Sequence, residues 1–580
     1  MLLKTLKTHL FLIILILFAA TPRLLWLDHF PISMAYDELN YVLNAKSFFR
    51  SSQNIPWTAS SLFSWGEKDF DIVISEIPSL INSIWVGPHL LSQFNARLPN
   101  AIMAILSVIF VYLITRILLN ETIAKIAGVF MAASPWNIHL GRTALELSPA
   151  VFFFLFGIYL ILKERSYKIL LSLPIFVCGF LSYLGAKLLF LPIITILLIY
   201  KFKTVKDGPK LPYLVYFLVS LLIILIYFLT LTFQPAGTRK GELLIFNPEW
   251  SKHVVDNERR QAIPNPALTL FSNKAVALSQ RVIDTYISSF STTNLFSKGE
   301  TISVYSTWEY GQLHYIDLIL IAIGLLVLFT YYRKAFYLLV SLIVVSPFAS
   351  AIDIVQETYA VRSFPLFPLL IIVSAVGFWF IREKLKFGKV LSVIIGVVYL
   401  ISFLYFLHLY FFRFPIYSAE RWMFSQRLAA NYARLAQNKD GIKKVYIVTI
   451  HSSKWAFEEY LFYSGVYNTS DQVKRINEKM KVRDFSDGKV VFLEKCPKMR
   501  DFTEGDVKIY DRRVDCGEKE AGNHGFVDLK DAGTVMIIEN DILCQDNPDL
   551  QRYSRVRSLK DLEIESQNVE QFCRNWVSKF

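Results

Sequence analysis

Charge is scarce in this 580-residue chain: Asp, Glu, Lys and Arg make up 19% of it, against about a quarter in soluble domains. Hydrophobic residues make up 54% and aromatic residues 15%. That shortage of charge excludes an ordinary soluble protein and indicates an α-helical polytopic membrane protein. Histidines at His-x-His or His-Glu-x-x-His spacing are absent, which argues against a zinc site. A glycine-rich phosphate loop, a nucleotide fingerprint, internal repeats and low-complexity runs are absent too. Cysteine is also rare. Four of the five, Cys496, Cys516, Cys544 and Cys573, lie in the C-terminal tail. Outside the cytoplasm an even set is compatible with two disulfides, although the sequence leaves both their pairing and four free thiols open. The net charge of +13 does not indicate nucleic acid. Most basic clusters fall in short gaps between apolar runs, where they report membrane topology, and no nucleic-acid partner is expected.

A bilayer core needs roughly 20 apolar residues per helix. Eleven runs fit, at about 8–27, 97–118, 122–138, 146–163, 168–184, 186–200, 211–233, 314–332, 335–352, 363–381 and 389–412. The first is too long for a signal peptide, and Thr21-Pro-Arg-Leu-Leu-Trp26 is a poor cleavage site, so it reads as an uncleaved helix. The gaps Lys163–Lys168, Lys201–Lys210, Tyr331–Lys334 and Arg382–Lys389 are short and basic. With eleven spans all four fall on one side, which predicts a cytoplasmic N-terminus in a plasma-membrane protein. The longer, mixed gaps, 28–96, 135–145, 234–313 and 353–362, are then extracytoplasmic, as is the tail.

The chain divides on this reading into a membrane module, 1–412, and a soluble α/β domain, 413–580. In the first outer loop, 28–96, segments 38–50 and 72–94 are expected to form short amphipathic helices lying on the bilayer. The large loop 234–313 could close over a site, be structural or be mobile. In the tail, Ala419–Lys439 and Phe457–Tyr467 read as helices, and Lys444–Ile450, Val490–Glu494 and Thr534–Ile538 as strands.

The chemistry centres on Met34-Ala-Tyr-Asp-Glu-Leu-Asn-Tyr41, just beyond the first span. Carboxylates held against a bilayer are costly, which makes Asp37 and Glu38 functional candidates. One of the two can act as a general base toward a hydroxyl. The other can bind a cation, orient its neighbour, or cap the helix that starts near Leu39. Pro135-Trp-Asn-Ile-His-Leu-Gly-Arg-Thr-Ala-Leu-Glu146 brings His139, Arg142 and Glu146 to the same side, although Arg142 and Glu146 at i, i+4 can simply pair. Arg97, Lys187 and Arg362 stand at outer helix ends. They suit a lipid phosphate, or else snorkel toward headgroups. No cofactor is required by this pattern, and a divalent cation held by Asp37, Glu38 or Glu146 stays open.

With these residues in view, the chain resembles the multi-spanning glycosyltransferases of the GT-C fold. The bacterial branch of the protein O-mannosyltransferase and aminoarabinose (lipid A) transferase superfamily is the closest in pattern. The resemblance covers about 5–412. It rests on Ala35-Tyr-Asp-Glu-Leu-Asn-Tyr41, Asn95-Ala-Arg-Leu-Pro99, Ala133-Ser-Pro-Trp-Asn-Ile-His-Leu-Gly-Arg142 with Glu146, Ser182-Tyr-Leu-Gly-Ala-Lys187, and Glu357-Thr-Tyr-Ala-Val-Arg-Ser-Phe-Pro365. MIR-type modules of the eukaryotic protein mannosyltransferases have no counterpart here. The resemblance implies inverting transfer of a sugar from a polyprenyl-phosphate carrier to an extracytoplasmic glycan, lipid or protein acceptor. It implies Asp37 as catalytic base, Glu38 and Glu146 as supporting acids, and Arg97, Arg142, Lys187 and Arg362 as holders of the lipid phosphate, with His139 beside them on the substrate side. A phosphate leaving group needs cations more than a proton donor, so one base with several cations suits the reaction. The alternative is a transporter or flippase of lipid-linked sugars, which tends toward internal repeats and mid-membrane charge.

Overall fold

The computed structural model describes residues 2–60, 70–204, 209–230, 233, 247–300, 304–353, 359–450, 452–497, 502–514, 516, 524–530, 532–546, 556 and 558–579. The first apolar run folds as α1 (Leu2–Leu24). The outer loop that follows forms α2 (Tyr36–Ser51), a parallel strand pair β1 (Thr58–Ser60) and β2 (Ile72–Ile74), and α3 (Glu76–Trp85). Next come α4 (Gln93–Leu118), α5 (Glu121–Ala132), α6 (Pro135–Gly141), α7 (Leu147–Lys163), α8 (Ser172–Phe180), α9 (Leu184–Thr204) and α10 (Leu211–Thr230). The large loop holds α11 (Pro248–Arg260), α12 (Leu268–Phe271) and α13 (Lys274–Ser288). Beyond it run α14 (Asp317–Tyr331), α15 (Arg333–Val345), α16 (Phe348–Ala351), α17 (Tyr359–Arg362), α18 (Leu366–Lys384) and α19 (Gly388–His408).

Among the described residues each expected run overlaps at least one helix. Among the described residues, six helical stretches are long and apolar enough to cross a membrane: Gln93–Leu118, Leu184–Thr204, Leu211–Thr230, Arg333–Ala351, Leu366–Lys384 and Gly388–Tyr417. The run at 122–138 differs from expectation, because it is two helices. Pro135 cannot continue α5; it opens α6 instead, with Ser134 Oγ accepting from the Asn137 amide. The carbonyls of Met131 and Ala132 at the break accept from the guanidinium of Arg23, which also binds Asn137 Oδ1. A buried cation at a helix C-terminus meets both the orphan carbonyls and the dipole. Glycine allows the tightest helix contact. A Cβ on Gly324 of α14 would lie 2.0 Å from the Val373 carbonyl of α18, and one on Gly377 equally close to Leu320 O. Small residues let membrane helices approach in this way.

The tail begins with α20 (Phe414–Tyr417) and α21 (Phe424–Ala436) and is built on a seven-stranded mixed sheet. Strand β3 (Lys444–Val448) is followed in the chain by α22 (Ser453–Tyr463), α23 (Ser470–Lys481), β4 (Ser486–Asp487) and β5 (Val490–Leu493). The strands β6 (Asp506–Asp511), β7 (His524–Leu529), β8 (Gly533–Glu539), helix α24 (Val569–Trp576) and β9 (Ser578–Lys579) complete it. The order is β4-β5-β3-β6-β8-β7-β9, with β3 parallel to β5 and β6 and every other pair antiparallel. The pairing that the sequence left open is Cys496–Cys516 and Cys544–Cys573. Cys178 is free.

Two expectations for the first loop are corrected. Segment 72–94 is not one helix, since β2 occupies its start and α3 only its middle. Nor does the 38–50 helix lie on the bilayer. Its residues Leu39–Ser47 are buried, between α3 on one side and α22 and α23 of the tail on the other. Asn40, Asn44, Lys46 and Ser47 are too polar to face lipid, and protein partners receive most of them: Lys46 Nζ reaches the carbonyls of Gly87 and His89, and Ser47 Oγ that of Gln53.

Candidate active site

The first turn of α2 separates its two acids. Glu38 points inward and is fully buried. Its Oε2 accepts from the Ala35 amide at 2.7 Å, the N-capping bond, and its Oε1 accepts from the Ala144 amide at 2.6 Å. The guanidinium of Arg97 on α4 spans the same carboxylate, with Nε 3.2 Å from Oε1 and Nη2 3.3 Å from Oε2. Asp37, one position earlier, is exposed. Adjacent residues on a helix face different ways, so one acid is committed to the fold and the other is presented to solvent.

Asp37 Oδ2 accepts from the Tyr305 hydroxyl at 3.3 Å. Tyr305 sits on the segment leading into α14, and that segment is pinned from behind. His139 Nε2 donates to the Val304 carbonyl at 2.7 Å, and Glu300 accepts from the Ala360 amide. The Trp136 indole in turn donates to Ala360 O at 2.8 Å, so α6 holds both Tyr305 and the Arg362 helix α17. Burial, then the charges of Asp37 and Glu146, push the Tyr305 hydroxyl well above the usual phenol range, while Arg362 opposes them. The Tyr183 hydroxyl bonds to Arg362. Asp353 pairs with Arg362 at 3.1 Å. Asp37, Glu146 and Arg362 therefore act on Tyr305, and Glu146 and Arg362 also on Tyr183. Glu146 is itself held by the Tyr41 hydroxyl and by Ser75 Oγ, 3.1 Å away.

The other expected residues are placed differently. Arg97 has no exposed surface. Beyond Glu38, its donors go to Pro31 O, Ser33 O and Gln93 Oε1 at 2.6–2.8 Å. Arg142 is equally buried and does not pair with Glu146. It binds the carbonyls of Pro22 in the last turn of α1 and of Leu25, Trp26 and Phe30 just beyond it, stacked over the rings of Tyr410 and Phe411. Both cations hold the first loop in place, with their donors on backbone carbonyls and on Glu38. His139 likewise faces the loop backbone and is buried. Lys187 lies over the rings of Tyr227 and Phe180, at 5.0 and 5.9 Å. Sequence reasoning missed Tyr305, Tyr183 and Arg23. A lone tyrosine in a long loop carries no pattern.

The tail closes one side of the site. Tyr463 of α22 accepts from the Met34 amide at 2.9 Å and bonds Ser33 Oγ, just ahead of Asp37. Arg427 of α21 binds Ile32 O and pairs with Glu565. Trp455 packs on Tyr36 with ring centroids 4.1 Å apart. Behind it lie two buried acids, Glu458, which accepts from the Trp57 indole at 2.9 Å, and Glu459. Burial raises the Glu458 carboxyl to about 8 against the pull of Lys454 and Trp57, and Glu459 is also raised. An acid with a raised folded-state pKa favours the fold while protonated. Its contribution is complete below the unfolded value of 4.5 and lost as pH rises to about 8. We therefore expect hydrogen-exchange protection of α22 to fall between pH 5 and 8.5. Glu458→Gln should flatten that dependence, and an unchanged slope would count against this account.

Among the described residues, no three His, Cys, Asp or Glu side chains converge to hold a metal ion. Residues 84–228 match the family described as dolichyl-phosphate-mannose-protein mannosyltransferase. No curated protein matches the chain. Among solved structures, the chain is similar to ArnT from Cupriavidus metallidurans bound to undecaprenyl phosphate. Identity is 13%, coverage 92% of this chain and 98% of that one, and the TM-score 0.46. It is also similar to the oligosaccharyltransferase AglB from Archaeoglobus fulgidus in complex with an inhibitory peptide and a dolichol-phosphate, at 12% identity, 93% and 74% coverage and a TM-score of 0.45. Against the apo form of the Archaeoglobus fulgidus oligosaccharyltransferase, at 13% identity and a TM-score of 0.43, 79% of this chain aligns and spans 64% of that protein's length. Arg97, His139, Arg142, Glu146 and Lys187 all lie within the residues that match this family.

Proposed function

We propose that the protein transfers a sugar from a polyprenyl-phosphate carrier to an acceptor hydroxyl, with inversion, and that Asp37 is the general base. The observation that carries this reading is the division of the acidic pair. Glu38 is consumed by the fold, whereas Asp37 is exposed and meets the Tyr305 hydroxyl, on which the Arg362 guanidinium also acts. In the proposed step, Asp37 takes the proton of the acceptor hydroxyl as its oxygen bonds to the anomeric carbon. The bond from that carbon to the phosphate oxygen breaks, and polyprenyl phosphate departs with the electron pair. Arg362 is the cation placed to receive the charge that grows on the phosphate, and its planar donors suit two phosphate oxygens. Glu146, held by Tyr41 and Ser75, supports the site from the α7 side, and the lipid tail stays in the bilayer. The topology proposed with this reading has a cytoplasmic N-terminus, with the site and the 413–580 domain outside.

The test is transfer from radiolabelled polyprenyl-phosphate sugars by the full chain in vesicles, with release of polyprenyl phosphate followed directly. Loss of a hydrogen bond to a charged group costs about 1.5–3 kcal/mol. Arg362→Gln should therefore lower kcat/KM for the lipid donor by about 10- to 100-fold, and Arg362→Lys should recover part of it. Unchanged donor kinetics in Arg362→Gln would remove Arg362 from the phosphate site.

A further inference from the structure

The large loop carries α11, α12 and α13, none of which the site described above uses. Several of its apolar side chains are exposed: Ile263 by 86%, Leu270 by 66%, Phe271 by 67%, Ile283 by 54% and Ile287 by 62%. Ile283 and Ile287 are i, i+4 neighbours, on the side of α13 opposite its buried Ala277 and Thr285. Ile263, Leu270 and Phe271 mark the other end of the hairpin, where Arg259 Nε holds the turn by donating to Ser272 O at 3.0 Å. An exposed apolar set of this size in a loop that is folded needs a partner.

The partner is indicated by what α13 is fastened to. The Tyr286 hydroxyl donates to the Val344 carbonyl at 2.8 Å, and α13 packs on α16. Val344 and Phe348 belong to the stretch Arg333–Ala351, which is long and apolar enough to cross a membrane, and both are about half exposed. The Ile283–Ile287 stripe thus continues the apolar outer surface of a membrane helix at its end. Exposed Lys252, Arg259, Arg260 and Lys274 accompany it, the arrangement by which interfacial helices meet headgroups.

We propose that residues 248–288 form a hairpin seated in the bilayer interface beside α15, with lipid as the partner of its apolar face. Its apolar side chains would reach about 5–10 Å into the boundary between headgroups and acyl chains. The inference depends on the membrane helices and not on any catalytic assignment. It is tested by site-specific labelling. In a Cys178→Ser background the remaining cysteines are disulfide-bonded. Single cysteines are placed by Phe271→Cys and Ile283→Cys, with Val482→Cys on the exposed tail as the aqueous control. Each carries an environment-sensitive fluorophore, in vesicles of phosphatidylcholine with and without phosphatidylglycerol. Nitroxide-bearing lipids are expected to quench the Phe271 and Ile283 labels several-fold more than the Val482 label, and iodide to quench them less. Iodide quenching equal to the control at either site would overturn the proposal. Shielding from iodide without quenching by lipid would also overturn it, since a protein and not the bilayer would then cover the face.

Discussion

An Asp37→Asn variant is expected to fold, insert and bind the lipid donor, yet lose about 10²- to 10⁴-fold in kcat, the usual contribution of a general base. That corresponds to about 3–5 kcal/mol of barrier. The fold should survive because Asp37 is exposed and the Tyr305 hydroxyl that meets it stands 3.3 Å away. Asparagine keeps the shape and can still accept from Tyr305, while its amide oxygen cannot take a proton from an acceptor hydroxyl. The measurement is single-turnover transfer of a labelled sugar beside a thermal unfolding curve. A wild-type transfer rate would end the assignment of Asp37. A collapsed unfolding curve would show that Asp37, like Glu38, serves the fold.

How much of this was legible in the sequence depended on whether a residue's role was local. Apolar length gave the helices, and β-branched runs gave β3, β5 and β8 in the tail. The pair Asp37–Glu38 was visible as a site, and helix capping was already one of its readings; the fold assigns that cap to Glu38 alone. What could not be read was which charge would be buried. Arg97, Arg142 and Arg23 look alike in sequence, each an arginine near a helix end. The structure gives all three to carbonyls or carboxylates freed by local chain breaks: at Pro31–Ser33, beyond α1, and between α5 and α6. Such breaks become apparent only when distant segments meet. The same holds for Tyr305, which lies 268 positions from Asp37 and is placed by His139 and Val304. The tail too seemed separable in sequence, whereas Tyr463 and Arg427 fix the residues that lead into the site.

Arg97→Met is the substitution expected to damage stability most. Arg97 and Glu38 are both fully buried. Removing one partner of such a pair leaves an uncompensated charge and costs about 3–5 kcal/mol, a large share of the roughly 5–15 kcal/mol that holds a protein folded. The methionine would also leave the carbonyls of Pro31 and Ser33 and the amide oxygen of Gln93 without their donor. The outcome expected is low yield of folded protein and a steep fall in Tm. Replacing both partners should be milder. In Arg97→Met/Glu38→Met no buried charge remains, so the double variant should be more stable than Arg97→Met alone, a coupling that a double-mutant cycle measures directly. The two roles open to Arg97 predict opposite results. A cation that serves the lipid phosphate could be lost with Tm intact and only the donor KM raised, and that result would return Arg97 to the active site. A cation that serves the fold takes Tm down with it, and adding back the carboxylate's neutral form, through Arg97→Met/Glu38→Gln, should recover part of the loss without restoring the bonds to Pro31 and Ser33.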